Sequence, residues 1–139
     1  MAPRQKAFNV ERFFQALGDT TRLRLLNLMG SQEICVCYLV EILGGPQPKI
    51  SRHLAYLRSA GIVTARREGK WMHYRVVMPQ HVGAAQVLTQ TLRWLGEEKA
   101  MQNDSKRLEK ACSLSAAGNR LLDQKRAQSS PSRCTQSSQ

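Results

Sequence analysis

The stretch 46–77, PQPKISRHLAYLRSAGIVTARREGKWMHYRVV, changes its hydrophobic period half-way along. In its first half, Ile50, Leu54 and Leu57 recur at the spacing of one helix face. Two runs rich in β-forming residues follow, one on each side of the turn-forming triplet Glu-Gly-Lys at 68–70. The stretch therefore predicts a helix followed by a β-hairpin.

Three further short helices are predicted upstream of this stretch. The first covers 10–17 after Asn9, and the second follows Asp19, because Asn and Asp are strong helix N-caps. The third reaches Leu43, where two glycines close it. All three carry apolar residues at helical spacing, so each is expected to bury one face.

A long helix is predicted downstream of the hairpin. Pro79 suits its first turn, and Leu88, Leu92 and Leu95 form an apolar stripe along it. The order of elements is then α-α-α-α-β-β-α, which is mainly α with a β-hairpin. This is the order of a winged helix-turn-helix domain.

The chain of 139 residues has room for one such domain and a tail. We expect the domain to span residues 9–100, followed by a helical extension at 101–126. Residues 127–139 are rich in Ser and Gln and have almost nothing to bury, so this segment is expected to be disordered.

The charge of the chain indicates a polyanionic partner. Lys and Arg number 21 against 10 Asp and Glu, and the excess is concentrated in residues 46–80 and 99–139.

Three His and few acidic residues leave little from which to build an active site, so an enzyme is not expected. No apolar run reaches the roughly 18–20 residues of a membrane helix, and no secretory segment is visible. We therefore expect a cytoplasmic protein with no membrane partner.

Double-stranded DNA is the polyanion that the basic side chains suit. The polar face of the predicted fourth helix combines groups that bind phosphate with groups that read base edges. The contacts predicted on this helix are Gln47, Lys49, Ser51, Arg52 and His53. The contacts predicted on the hairpin, acting as a positively charged wing, are Arg66, Arg67, Lys70 and His73. A solvated charged helix face and a histidine that merely packs the hairpin are the alternatives.

Two of the four cysteines, Cys35 and Cys37, lie at the predicted start of the third helix. The positive end of a helix lowers a thiol pKa, and soft thiolates select Cu(I), thiophilic Zn or Cd, and trivalent arsenic or antimony. On a regular helix these side chains point about 160° apart, so binding one small ion to both is expected to distort the first turn. Ligand and DNA would then bind competing conformations. The alternative is a pair of small buried core cysteines.

Several separated motifs resemble the ArsR/SmtB family of metalloregulatory repressors. They are Leu17–Arg22 (LGDTTR), Pro48–Leu54 (PKISRHL), Gly61–Val63 (GIV) and Gly69–Arg75 (GKWMHYR), and the resemblance covers about Asn9 to Glu98. The resemblance implies a homodimer on a pseudo-palindromic operator. It also implies that the first helix and the long helix after the wing form the dimer interface.

The segment 34–39, ICVCYL, resembles the metalloid site of this family, in which three thiolates hold trivalent arsenic and repression is relieved. Arsenic sensors often have their third cysteine where this chain has Val40, so either a third ligand comes from elsewhere or the site is two-coordinate. Cys112 is the first candidate and Cys134 the second. The implied inducer is As(III) or Sb(III), bound by Cys35, Cys37 and Cys112, with no organic cofactor.

The sequence therefore predicts a dimeric repressor of an arsenic-resistance operon that trivalent arsenic or antimony releases from its operator. Two alternatives stay open. One is a thiol-redox-sensing repressor on the same scaffold, in which Cys35 or Cys37 forms a disulfide with Cys112. The other is a constitutive DNA-binding protein whose cysteines are structural.

Overall fold

The computed structural model describes residues 7–30 and 32–126, the last twelve of them as helical backbone only. The helices are α1 Val10–Leu17, α2 Thr20–Leu28, α3 Val36–Leu43, α4 Gln47–Ser59, α5 Val82–Glu97 and α6 Lys99–Arg126. The strands are β1 Ile34–Cys35, β2 Val63–Glu68 and β3 Trp71–Val76. The predicted disordered tail, 127–139, lies outside the described residues.

Side-chain caps begin the first two helices, as predicted. The Asn9 carboxamide oxygen accepts from the backbone N–H of Arg12 at 2.9 Å, and the Asp19 carboxylate accepts from that of Arg22 at 3.1 Å. Helix α3 ends at Gly44, whose φ of 69° lies in the left-handed region that a glycine adopts without strain. Local signals therefore determine these helix ends.

The hairpin is part of a three-stranded antiparallel sheet with the order β1-β3-β2. The prediction contained only two strands, because the two residues of β1 are too few to show an alternating pattern. Strand β1 exists because Ile34 pairs with Tyr74 and Cys35 pairs with His73 on the wing strand β3. The segment that carries Cys35 is thus hydrogen-bonded directly to the wing.

Helix α5 begins at Val82, and the prediction that Pro79 opens it is wrong. Pro79 is buried upstream of the helix, where its fixed φ suits extended backbone as well as a first helical turn. The predicted stripe is present in α5, since Leu88 and Leu95 are buried and Leu92 is half-buried.

Helix α6 packs across α2, α3 and α5. The Arg24 guanidinium of α2 donates to both carboxylate oxygens of Asp104, at 2.8 and 3.0 Å, and the Asn27 amide donates to the carbonyl of Met101 at 3.0 Å. Leu108 adds a buried apolar contact. The first half of α6 is therefore part of the same packed unit as the winged helix. Within the described residues, no helix is long and apolar enough to cross a bilayer.

Candidate DNA-binding surface and thiol site

Helix α4 presents one face to the core and the other to solvent. Ile50, Leu54 and Leu57 are buried, and the helix packs against α2, α3 and β2. The predicted DNA contacts Gln47, Lys49 and Arg52 are all exposed, and Ser51 is half-buried. The core contacts thus present the amino-terminal half of α4 outward, as insertion into a major groove requires.

His53, also predicted as a DNA contact, is instead turned towards the start of α2. Its Nδ1 lies 3.3 Å from a guanidinium nitrogen of Arg22 and 3.9 Å from a carboxylate oxygen of Asp19. Burial lowers the pKa of His53, and the neighbouring Arg22 charge lowers it further. A neutral imidazole can accept a hydrogen bond from Arg22, so His53 joins α4 to α2 rather than extending the exposed face.

Arg22 makes a set of contacts that sequence reasoning missed. Its guanidinium donates to the carbonyls of Ala16 at 3.0 Å and Gln15 at 2.7 Å, at the end of α1. The same group lies 4.4 Å from the centre of the Tyr56 ring of α4. Arg22 therefore ties α1, α2 and α4 together, and periodicity offers no signal for such a role.

The predicted DNA contacts on the wing include both exposed and buried side chains. Arg67 and Lys70 are exposed, as is Arg75 nearby. His73, in contrast, is only 1% exposed, and neither of its ring nitrogens has a hydrogen-bond partner among the described residues. Its Nε2 lies 3.6 Å from a carboxylate oxygen of Glu68. The structure therefore buries His73 instead of presenting it to DNA as predicted.

Arg66 is exposed but engaged by carboxylates. It donates to both carboxylate oxygens of Glu33 and to Glu68 at 3.2 Å. The hydrogen bond from Arg66 lowers the pKa of Glu33, and the Glu33 carboxylate raises the pKa of Arg66. If Arg66 binds DNA as predicted, a phosphate has to compete with the carboxylates of Glu33 and Glu68 for its guanidinium group.

The two thiols lie together without any distortion of α3. Cys35 is the N-cap of α3 and has extended backbone, φ −66° and ψ 141°, so only Cys37 lies in the helix. The Cys37 thiol donates to Cys35 Sγ at 3.0 Å. The expectation of sulfurs pointing about 160° apart on a regular helix is therefore wrong, because it placed Cys35 inside the helix. Unwinding of the first turn is not needed to bring both sulfurs to one atom.

The protonation of Cys35 also differs from the expectation. The hydrogen bond from Cys37 raises the pKa of Cys35, and burial raises it further. The backbone hydrogen bond from Cys37, at the start of α3, lowers the pKa of Cys35 but does not outweigh these two causes. A soft ion that binds this pair must therefore displace a thiol proton.

A third ligand is not preassembled. Within the described residues, no three His, Cys, Asp or Glu side chains are placed to hold a metal ion. Cys35 and Cys37 are thiols, and Cys112 is half-buried on α6. A ligand role for Cys112 stays a prediction. Cys134 lies outside the described residues.

Residues 19–65, from the N-cap of α2 into β2, match the family described as bacterial regulatory protein, arsR family. The chain is also 40% identical over 92 residues to the arsenical resistance operon repressor of Escherichia coli K12, a match that covers 66% of this chain and 77% of that protein. The chain belongs to the ArsR family of bacterial regulatory proteins.

Other ArsR-family relatives agree. The arsenic resistance transcriptional regulator ArsR1 of Pseudomonas putida is 50% identical over 74 residues, which make up 51% of this chain and 58% of the relative. The solved structure of the transcriptional repressor BigR from Xylella fastidiosa matches with a TM-score of 0.50 and 30% identity, over 61% of this chain and 84% of BigR. The predicted family and the winged-helix fold class are confirmed. The chain is a DNA-binding transcription regulator of the ArsR type.

Proposed function

We propose that this ArsR-family chain represses an arsenic-resistance operon and leaves its operator when trivalent arsenic or antimony binds Cys35 and Cys37. The observation that carries the proposal is the 3.0 Å contact between these thiols at the start of α3, the first helix of the helix-turn-helix pair. Soft sulfur donors suit thiophilic ions. The names of the E. coli and P. putida relatives add support. The chain would act in the cytoplasm by binding DNA, not by catalysis.

The proposed form on DNA is a homodimer. Helix α1 exposes Val10 and Phe14, at 55% and 53%, and α5 exposes Val82 and Trp94, at 71% and 65%. Large apolar side chains exposed on two helices are costly in water and are typical of an association surface. They lie on the two helices that the family resemblance assigns to the dimer interface.

The proposal is tested by operator binding with and without arsenite under strictly reducing conditions, on an operator selected from random duplexes by the wild-type protein. Arsenite should weaken wild-type binding by about tenfold or more, which is within the usual range of allosteric coupling. Cys35→Ser and Cys37→Ser should bind the operator as the wild type does and ignore arsenite. Release of these variants by arsenite would refute the thiol site, and release of the wild type only by oxidants would favour the redox alternative.

Cys112 remains the proposed third ligand, because it packs against the core of the domain on a helix that also contacts α3. In the same assay, reduced Cys112→Ser should need more arsenite for release and keep its operator affinity. An unchanged dose-response would remove Cys112 from the site and leave a two-thiol site.

Arg52 is expected to read base edges from the exposed face of α4. Arg52→Ala should weaken operator binding by about 1–3 kcal/mol and binding to random duplexes by less, because a base contact contributes only on the right sequence. Lys49→Ala, the matched change on the same face, should weaken both by a similar factor as a phosphate contact. Filter binding at one fixed salt concentration measures the affinity of each variant for the operator and for random duplexes. An equal loss on both DNAs for Arg52→Ala would reduce Arg52 to a phosphate contact.

A further inference from the structure

An ion pair spans one face of the sheet and connects the thiol segment to the wing. Glu33 directly precedes β1, and its two carboxylate oxygens accept from Nε and Nη2 of Arg66 on β2. The arrangement is a two-point fork, which fixes orientation as well as distance. Glu33 is well shielded, with a side-chain exposure of 19% against 51% for Arg66.

The pair passes over the central strand. Cys35 pairs with His73, and His73 pairs with Arg66, so these three residues form one row across β1, β3 and β2. Residues directly opposite in antiparallel strands have their side chains on the same face. Arg66 therefore reaches from the outer strand across His73 to Glu33, two residues before Cys35.

The charges around Arg66 argue against a phosphate contact at this position. Glu33 and Glu68 both contact Arg66, so the three side chains together carry a net charge of −1. A DNA phosphate therefore finds less free positive charge at Arg66 than at the adjacent Arg67, which is exposed. Arg66 is thus better suited to hold the wing than to bind DNA.

We infer that Glu33 and Arg66 are positioning residues that transmit the state of the Cys35–Cys37 pair to the wing. This inference rests on the proposed function. An ion that binds both sulfurs replaces their thiol contact, and Cys35 is the last residue of β1 as well as the N-cap of α3. A shift of Cys35 therefore acts on β1, and the fork between Glu33 and Arg66 carries that shift across β3 to the strand that bears Arg67.

The test is a double-mutant cycle with Glu33→Gln, Arg66→Gln and both together. For each protein, operator affinity is measured with and without arsenite, and arsenite affinity for the free protein is measured by calorimetry. Each single change should reduce the arsenite-induced loss of operator affinity by about fivefold, a size that residues between coupled sites can produce. Arsenite affinity should stay within twofold. The double variant should be no worse than either single one, because both remove the same contact.

Three further measurements complete the test. Arg66→Lys keeps the positive charge but cannot form the two-point fork. It should therefore restore little of the arsenite-induced loss of operator affinity that Arg66→Gln removes. Glu41→Gln makes the same charge change at an exposed position of α3 and should leave the coupling unchanged. Trp71 lies at the start of β3, and the part of the tryptophan fluorescence that Trp71→Phe removes should respond to arsenite when the Glu33–Arg66 pair is intact and not in its variants.

The outcomes separate this inference from the proposed function. A wild-type protein that binds its operator and ignores arsenite overturns the proposed function. Two results overturn the positioning role when the wild-type protein is released by arsenite. In the first, both single variants keep the full arsenite-induced loss of operator affinity. In the second, the two single changes reduce that loss independently, so that their effects add in the double variant. A loss of operator affinity in the absence of arsenite for Arg66→Gln, but not for Glu33→Gln, identifies Arg66 as a DNA contact and also overturns it.

Discussion

Replacing Leu54 with alanine should lower the free energy of unfolding by about 3 kcal/mol, which lies within the range for buried leucines. Leu54 is fully buried in the middle of α4, where the helix packs against the rest of the domain. The change removes buried apolar surface and leaves a cavity that the surrounding helices fill only in part. It does not touch the exposed side chains of α4, so the folded fraction should still bind the operator well below the melting temperature.

Urea unfolding followed by circular dichroism measures this effect, with all variants at one protomer concentration because dimerisation adds to apparent stability. Arg58→Ala, an exposed change on the same helix, should stay within about 0.5 kcal/mol of the wild type. A loss below about 1 kcal/mol for Leu54→Ala would mean that α4 is not anchored by its buried face as described.

Replacing Arg22 with alanine should lower the free energy of unfolding by about 2 kcal/mol and weaken operator binding by the protein that remains folded. Hydrogen bonds from charged groups contribute roughly 1.5–3 kcal/mol when half-buried. Arg22 donates to two carbonyls at the end of α1 and stacks on Tyr56 of α4. Without Arg22, α4 keeps only the hydrogen bond from the Tyr56 hydroxyl to Gln15 as a polar link to α1 among the described residues, so its orientation in the groove becomes less defined.

The same unfolding assay and an operator titration at low temperature measure both effects. Arg22→Lys should rescue little, because one ammonium group cannot donate to both carbonyls and stack on the ring. Lys106→Ala, an exposed change on α6, serves as the matched control and should alter neither quantity. Normal operator affinity in Arg22→Ala would show that Arg22 is not needed to orient α4.

Much of the architecture was predictable because its causes are local. The caps at Asn9 and Asp19 act within three residues, and the turn at Gly69 joins neighbouring strands. The helical period of Ile50, Leu54 and Leu57 determines which face of α4 is buried, so the exposure of Lys49 and Arg52 on the other face followed as well. The two closely spaced cysteines, Cys35 and Cys37, were visible in the sequence because they are only two positions apart.

The positions of the other predicted site residues depended on contacts between distant parts of the chain. His53 turns inward because Arg22 lies 31 positions away in sequence but 3.3 Å away in space. Arg66 is held by Glu33, which is 33 positions away. Residue type alone suggests that each of these side chains binds phosphate, and only their neighbours show that they are engaged within the protein.

The amino-acid sequence by itself determined the order of the helices, the hairpin, the outward face of α4 and the presence of two thiols at the start of α3. These features could be predicted because periodicity, capping and turn chemistry act over a few residues. Only the tertiary structure decided that β1 joins the wing, that Cys35 lies outside the helix beside Cys37, and that His73 is buried. These features arise when Ile34 and Cys35 pair with a strand nearly forty positions later, and no local pattern records such pairing.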